Sequence, residues 1–193
     1  MTVSPLSVPG APVANSGGNC GPGTVNLSGT PGANGNTLRW YTSPTGGVHF
    51  RQSTTYAPSL SSTTTYYIST YNSTVGCEGD TRVPITATIH TIPSTPSTTD
   101  GTHCGPGVVN LAASPGVNGN TIRWYTASSG GSPIHQNTIY SPNLSTTTTY
   151  YVTSYNTTTG CEGSPRVAIT GTIYDPPADP NPITTCERFG VGE

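Results

Sequence analysis

The chain has 193 residues, a formal net charge of -2 and only 7% charged residues, and its six basic residues are all arginines, Arg39, Arg51, Arg82, Arg123, Arg166 and Arg188. With no basic cluster it lacks the electrostatic footprint of a nucleic-acid binder and the polybasic element of an anionic-membrane binder, and no apolar run reaches the roughly 20 residues of a spanning helix. No nucleic-acid partner and no membrane insertion are therefore expected.

About three residues in ten are Ser or Thr, yet the chain also holds 11 Tyr and 2 Trp. Aromatic and β-branched residues at this density argue for strands and against disorder. Val3, Leu6, Val8 and Val13 make residues 1–19 an apolar, Pro-punctuated segment, read as an N-terminal arm or as a first strand. From Cys20 onward the chain carries motifs that return without gaps at an offset of 84 residues (20 to 104), and about three positions in five are identical between 20–90 and 104–174. Such periodicity marks tandem copies of one structural unit.

Within the first copy, Gly21-Pro22-Gly23 turns into a strand at Val25-Asn26-Leu27. The next strand, Thr37 to Thr42, points Leu38 and Trp40 one way and Arg39 and Tyr41 the other. Gly46-Gly47 leads into two weakly marked strands around His49 and Tyr56. Thr63 to Tyr71 sets Tyr66 and Ile68 opposite Tyr67 and Tyr71. Arg82 to Ile89 closes the unit, with Val83, Ile85, Ala87 and Ile89 on one face. No window shows helical apolar spacing. The pattern predicts an all-β protein of two tandem immunoglobulin/fibronectin III-like β-sandwich domains, with Trp40 and Trp124 as core indoles. Leu60 to Tyr66 and Leu144 to Tyr150 read as tyrosine corners, in which the phenol bonds backbone while its ring packs inward.

The expected domains are 20–92 and 104–176, joined by a Pro/Ser/Thr linker at 93–103 and followed by a C-terminal arm at 177–193. The linker reads as too polar to supply a first strand to the second unit. Together with spare arms at both ends, this predicts head-to-tail self-assembly by strand addition. The alternative is a string of beads in which residues 3–13 complete the first unit.

Four of the five cysteines fall on the repeat, which argues for one bridge per unit, Cys20–Cys77 and Cys104–Cys161, in an oxidising compartment. In ordinary sandwich topology Cys20 and Cys77 lie near opposite poles, so a bridge from Cys20 to Cys161 across the junction stays open. Cys186 is left over, a candidate intersubunit thiol, the start of a truncated third unit, or a free thiol in a frayed tail. Only Glu78 and Glu162 recur among the acidic residues, one per unit, so no repeated carboxylate pair is available for acid–base work. Glu78 is expected to pair with Arg82 at the surface. His49, His90, His103 and His135 occupy unrelated repeat positions. No catalytic residue, metal site or cofactor is expected, and the chain does not read as an enzyme. Arg39, Tyr41, Tyr67 and Tyr71, with Arg123, Tyr125, Tyr151 and Tyr155, form a candidate contact surface for sugars or protein, or else a cross-strand ladder that only stabilises the sheet. Sequons mark Asn26, Asn72, Asn143 and Asn156 as candidate glycosylation sites, Asn72 and Asn156 foremost because they are equivalent and fall in a loop.

The blocks Cys-Gly-Pro-Gly-Thr-Val-Asn-Leu at 20–27, Arg39-Trp40-Tyr41, Gly46-Gly47, Leu60 to Tyr67 and Gly76-Cys77-Glu78, with their second copies, resemble the Ig-like tandem repeats of Bacteroidota cell-surface and secreted proteins, among them gliding, adhesin and type IX-secreted proteins. The resemblance covers 20–90 and 104–174 and implies an extracellular or cell-surface location. The function expected is a structural subunit of an extracellular filament or surface adhesin stalk, glycosylated and partnered by copies of itself. The competing reading is a carbohydrate-binding or spacer module of a secreted enzyme.

Overall fold

The computed structural model describes residues 7–175. The first unit contains β1 (Val13–Asn15), β2 (Gly17–Cys20), β3 (Gly23–Thr24), β4 (Leu27–Thr30), β5 (Thr37–Tyr41), β6 (Arg51–Gln52), β7 (Thr55–Tyr56), β8 (Ser59–Leu60), β9 (Thr64–Asn72), β10 (Cys77–Glu78) and β11 (Val83–His90). The second contains β12 (Ser97–Thr99), β13 (Gly101–Cys104), β14 (Gly107–Val108), β15 (Leu111–Ser114), β16 (Thr121–Tyr125), β17 (His135–Gln136), β18 (Ile139–Tyr140), β19 (Asn143–Leu144), β20 (Thr148–Tyr155) and β21 (Val167–Tyr174). In each unit one sheet is short, β1-β4-β7 or β12-β15-β18, and the facing sheet is broad, β2-β11-β9-β5-β6 or β13-β21-β20-β16-β17. Among the described residues there is no helix, hence none long and apolar enough to cross a membrane.

The first strand of each unit changes sheets. β1 pairs antiparallel with β4, and the chain then crosses so that β2 pairs parallel with β11. A side-chain oxygen sits at the crossing: Ser16 Oγ accepts the Thr86 amide at 3.0 Å and Asp100 Oδ1 accepts the Thr170 amide at 2.8 Å. The next residue is glycine because a Cβ on Gly17 or Gly101 would lie 2.2 or 2.3 Å from the carbonyl oxygen of Asn26 or Asn110. The linker expected at 93–103 is corrected here. Val13 lies in the first unit's own β1, and Ser97–Thr99 and Gly101–Cys104 are strands of the second sandwich. Thr-rich backbone pairs as well as apolar backbone does, so polarity was a poor guide to strand formation, and the shortage that motivated strand addition does not exist.

Period-2 burial then builds the cores. Val25, Leu27, Leu38, Trp40, Tyr66, Ile68, Ile85 and Ala87 form one cluster, and Val109, Leu111, Ala113, Ile122, Trp124, Leu144, Tyr150, Val152 and Ile169 the other. Trp40 is 0% exposed, its Nε1 donates to the Ser53 carbonyl at 2.6 Å, and its ring meets Tyr56 edge-on at 5.5 Å. Burial of each such aliphatic side chain contributes about 1.5–3 kcal/mol. Tyr66 turns inward as expected and packs edge-on against Tyr56 at 5.2 Å. Among the described residues its phenol makes no hydrogen bond to backbone across the corner, so the tyrosine-corner hydrogen bond is a second expectation the structure corrects.

Candidate functional site

Two features are built identically by both copies. The first lies at the poles. β2 and β11 run the same way, with Cys20 registered against His90, so Cys20 sits where the chain leaves the first unit. β9 runs oppositely and returns through a hairpin to β10, with Cys77 registered against Asn72, so Cys77 sits at the far pole. The hairpin is fixed by a glycine in left-handed conformation, Gly76 at φ 74° or Gly160 at φ 72°, which residues with a Cβ rarely adopt. An Asn side chain braces it. Asn72 Oδ1 accepts the Thr74 amide at 3.0 Å while Nδ2 donates to the Asn34 carbonyl at 2.7 Å, and Asn156 repeats this with Thr158 and Asn118.

In the second unit this hairpin faces the first unit's exit pole, and Cys161 forms a disulfide with Cys20, Cα to Cα 5.5 Å. Cys161 is fully buried. Gly18, Asn19, Cys20, His90 and Thr159 line a cavity at the join. The favoured pairs Cys20–Cys77 and Cys104–Cys161 are thus corrected: members of each pair stand at opposite ends of one sandwich, and the bridge runs between units instead. Cys77 and Cys104 are free thiols. Cys186 and the arm at 177–193 lie outside the described residues.

The second feature is a pinned carboxylate. Arg39 Nη1 donates to Glu78 Oε2 at 2.8 Å, while the Tyr41 and Ser69 hydroxyls donate to Oε1. In the second unit Arg123 donates to Glu162 at 2.9 Å and Thr153 at 2.6 Å, with Tyr125 as third donor. Each arginine stacks on a ring: Arg39 lies 3.5 Å over the Tyr71 ring and Arg82 3.3 Å over the Tyr41 ring, and Arg123 and Arg166 repeat the stacks on Tyr155 and Tyr125. Arg82 also donates to the carbonyls of Ser43 at 3.0 Å and Gly46 at 2.6 Å. Burial pushes the Glu78 carboxyl up, but the bonds from Ser69, Tyr41 and Arg39 outweigh it and hold the group below its ordinary range. Glu162 is held low in the same way, by Thr153, Tyr125 and Arg123. Burial, then the bond to Glu78, raises the Tyr41 phenol.

These contacts revise the expected surface. Tyr41 and Tyr125 are each 3% exposed, covered by an arginine and bonded to a carboxylate, and are not free to stack on a ligand. Arg39, Arg123, Tyr67, Tyr71, Tyr151 and Tyr155 are half-buried. Glu78 pairs with Arg39, not with Arg82, whose partners are a ring and two carbonyls. Sequence reasoning missed the arginine stacks: Arg82 and Arg166 recur at equivalent positions, but far along the chain from Tyr41 and Tyr125, whose rings they cover. A carboxylate saturated by donors acts as a structural pin and is poorly placed to take or give protons near neutrality. A shallow polar cavity adjoins each pin, lined in the second unit by Arg123, Tyr125, Gly130, Gly131, Glu162 and Arg166. Asn26 and Asn143 are exposed, whereas Asn72 and Asn156 are half-buried turn braces. Among the described residues no group of three or more His, Cys, Asp or Glu is placed to hold a metal ion.

The fold has a counterpart among solved structures, with weaker likenesses to others. The fibronectin(III)-like modules of Clostridium thermocellum CbhA superpose with a TM-score of 0.55 at 11% identity, covering 85% of this chain and 94% of that one. Three N-terminal domains of the highly immunogenic outer capsid protein of bacteriophage RB49 give a TM-score of 0.40 at 12% identity over 84% of this chain and 59% of that one. Chicken CNTN1 FN1–FN3 domains give 0.27 at 14% identity over 89% and 67%. No curated protein matches the sequence. Tandem domains of this kind are consistent with a structural or spacer role, and the disulfide fits an oxidising environment. The model of the family described as "Ig-like domain CHU_C associated" matches residues 9–90 and again 93–175, in keeping with the Bacteroidota-type repeat, and the chain belongs to that family.

Proposed function

We propose that the chain is a structural subunit of an extracellular filament or surface stalk, its two sandwiches acting as rigid spacers. The observation that supports this most directly is the disulfide between Cys20 and Cys161, which ties one unit's exit pole to the next unit's hairpin. A flexible string of beads has no need of such a weld. Four of the tyrosines that a sugar-binding face would offer, Tyr41, Tyr71, Tyr125 and Tyr155, are instead covered by arginines, and Tyr41 and Tyr125 are also bonded to Glu78 and Glu162. On this reading exposed Asn26 and Asn143, rather than the turn-bracing Asn72 and Asn156, are the better candidates for glycans.

Electron microscopy of native material tests the proposal, with regular fibres or surface projections expected. A second reading, a carbohydrate-binding or spacer module of a secreted enzyme, draws on the polar cavity beside Glu162. Dispersed native protein that binds an oligosaccharide saturably, and loses it on Arg166→Ala, would favour that reading and overturn the first.

A further inference from the structure

The bond between the units has an open half at each end of the molecule. It joins the first cysteine of one repeat, Cys20, to the hairpin cysteine of the next, Cys161. Shifted by one repeat, the same rule leaves two sulfurs unpaired. Cys104, the counterpart of Cys20, is registered against Tyr174 where β21 ends, at the second unit's outer pole. Cys77, the counterpart of Cys161, lies on the hairpin at the first unit's outer pole. Both are free, Cys104 exposed and Cys77 half-buried.

The residues around these sulfurs differ from those at the internal join in one direction. There, Thr159 and His90 line the cavity beside Cys20. At the outer poles their counterparts are Val75 and Tyr174, 46% and 55% exposed. The polar pair inside the molecule is replaced by an apolar pair that solvent now reaches, at the two positions that would meet if a second copy repeated the internal join. Each stands beside one of the unpaired sulfurs, where a second copy repeating the internal join would cover it.

We propose that copies of this chain join head to tail through a Cys104–Cys77 disulfide, with Val75 of one copy packed near Tyr174 of the other. The contact is heterologous, so each addition leaves the same two ends open and the product is a linear polymer. The inference rests on the structural-subunit reading and supplies its assembly chemistry. The oxidant is a small-molecule or protein disulfide. The thiolate of one cysteine attacks it, releasing one thiol and leaving a mixed disulfide, and the thiolate of the other cysteine then attacks that bond and releases the second thiol. Two protein thiols are oxidised and one acceptor disulfide is reduced to two thiols.

The test uses the full chain carrying Cys186→Ser, with either Cys77→Ser or Cys104→Ser added, and oxidised glutathione as acceptor. Each variant alone is expected to stay monomeric on a non-reducing gel, and the equimolar mixture to give a reducible dimer whose peptide map shows Cys104 bonded to Cys77. Val75→Asp, on an exposed hairpin tip, should slow dimer formation without changing the far-ultraviolet dichroism. Dimers in either variant alone, or no dimer in the mixture, would overturn the proposal. Native fibres that lack the Cys104–Cys77 peptide would overturn it while leaving the structural-subunit reading standing.

Discussion

At the scale of single residues, the pinned carboxylates and the core indoles carry the strongest consequences. Glu78 and Glu162 sit below their free value of 4.5 in the folded chain. Their contribution to stability is therefore complete above about pH 4.5 and is lost as pH falls through the lower folded-state value. Thermal midpoints followed by circular dichroism should drop on acidification through that window, and Glu78→Gln with Glu162→Gln should flatten the slope; an unchanged slope removes the pins from the stability account. Tyr41 and Tyr125 act at the other extreme, since phenols raised by burial and by a bonded carboxylate favour the fold below about pH 10 and cease to as pH rises past their folded values. Trp40→Ala removes a fully buried ring and orphans the Ser53 carbonyl, a loss of about 3–5 kcal/mol. Against total stabilities of about 5–15 kcal/mol that should unfold much of the first unit while Trp124 keeps its native fluorescence. Equal loss in both units would mean that they fold as one.

At the scale of elements, strand position and inward face could be read from the alternation of Leu38, Trp40, Tyr66, Ile68 and Ile85, because successive side chains on a pleated strand point to opposite faces. The first strands were hidden by the same rule. Ser97–Thr99 pairs along its whole length with β15, but it lies on a sheet edge where backbone bonds matter more than side-chain polarity. Stacking geometry was also illegible, since nothing in spacing tells whether an outward Tyr meets water or a guanidinium. The sheet crossing at Gly17 gives an element-scale prediction. Gly17→Ala places a carbon 2.2 Å from the Asn26 oxygen, and the forced shift should cost about 1–3 kcal/mol, seen as a lower denaturant midpoint. A wild-type midpoint would mean that β2 can move away freely.

At the scale of the whole molecule, each sandwich closes its own core, so the disulfide governs the relation between units more than the existence of either. Cys161→Ser should leave the far-ultraviolet spectrum intact and broaden the distribution of distances between labels on the two units; loss of the spectrum would mean that the bond also holds a fold together. The bond also redirects tension. Pulled from its ends, the chain carries load along residues 7–20, through two sulfurs, and onward from Cys161. The 141-residue stretch it bridges is taken out of the line of pull, withdrawing roughly 480 Å of contour at about 3.4 Å per residue. Under such terminal pulling a torn sandwich could release only the strands outside the bridge, β1 and β2 at one end and β21 at the other, and the tether behaves as a cable with most of its slack knotted off.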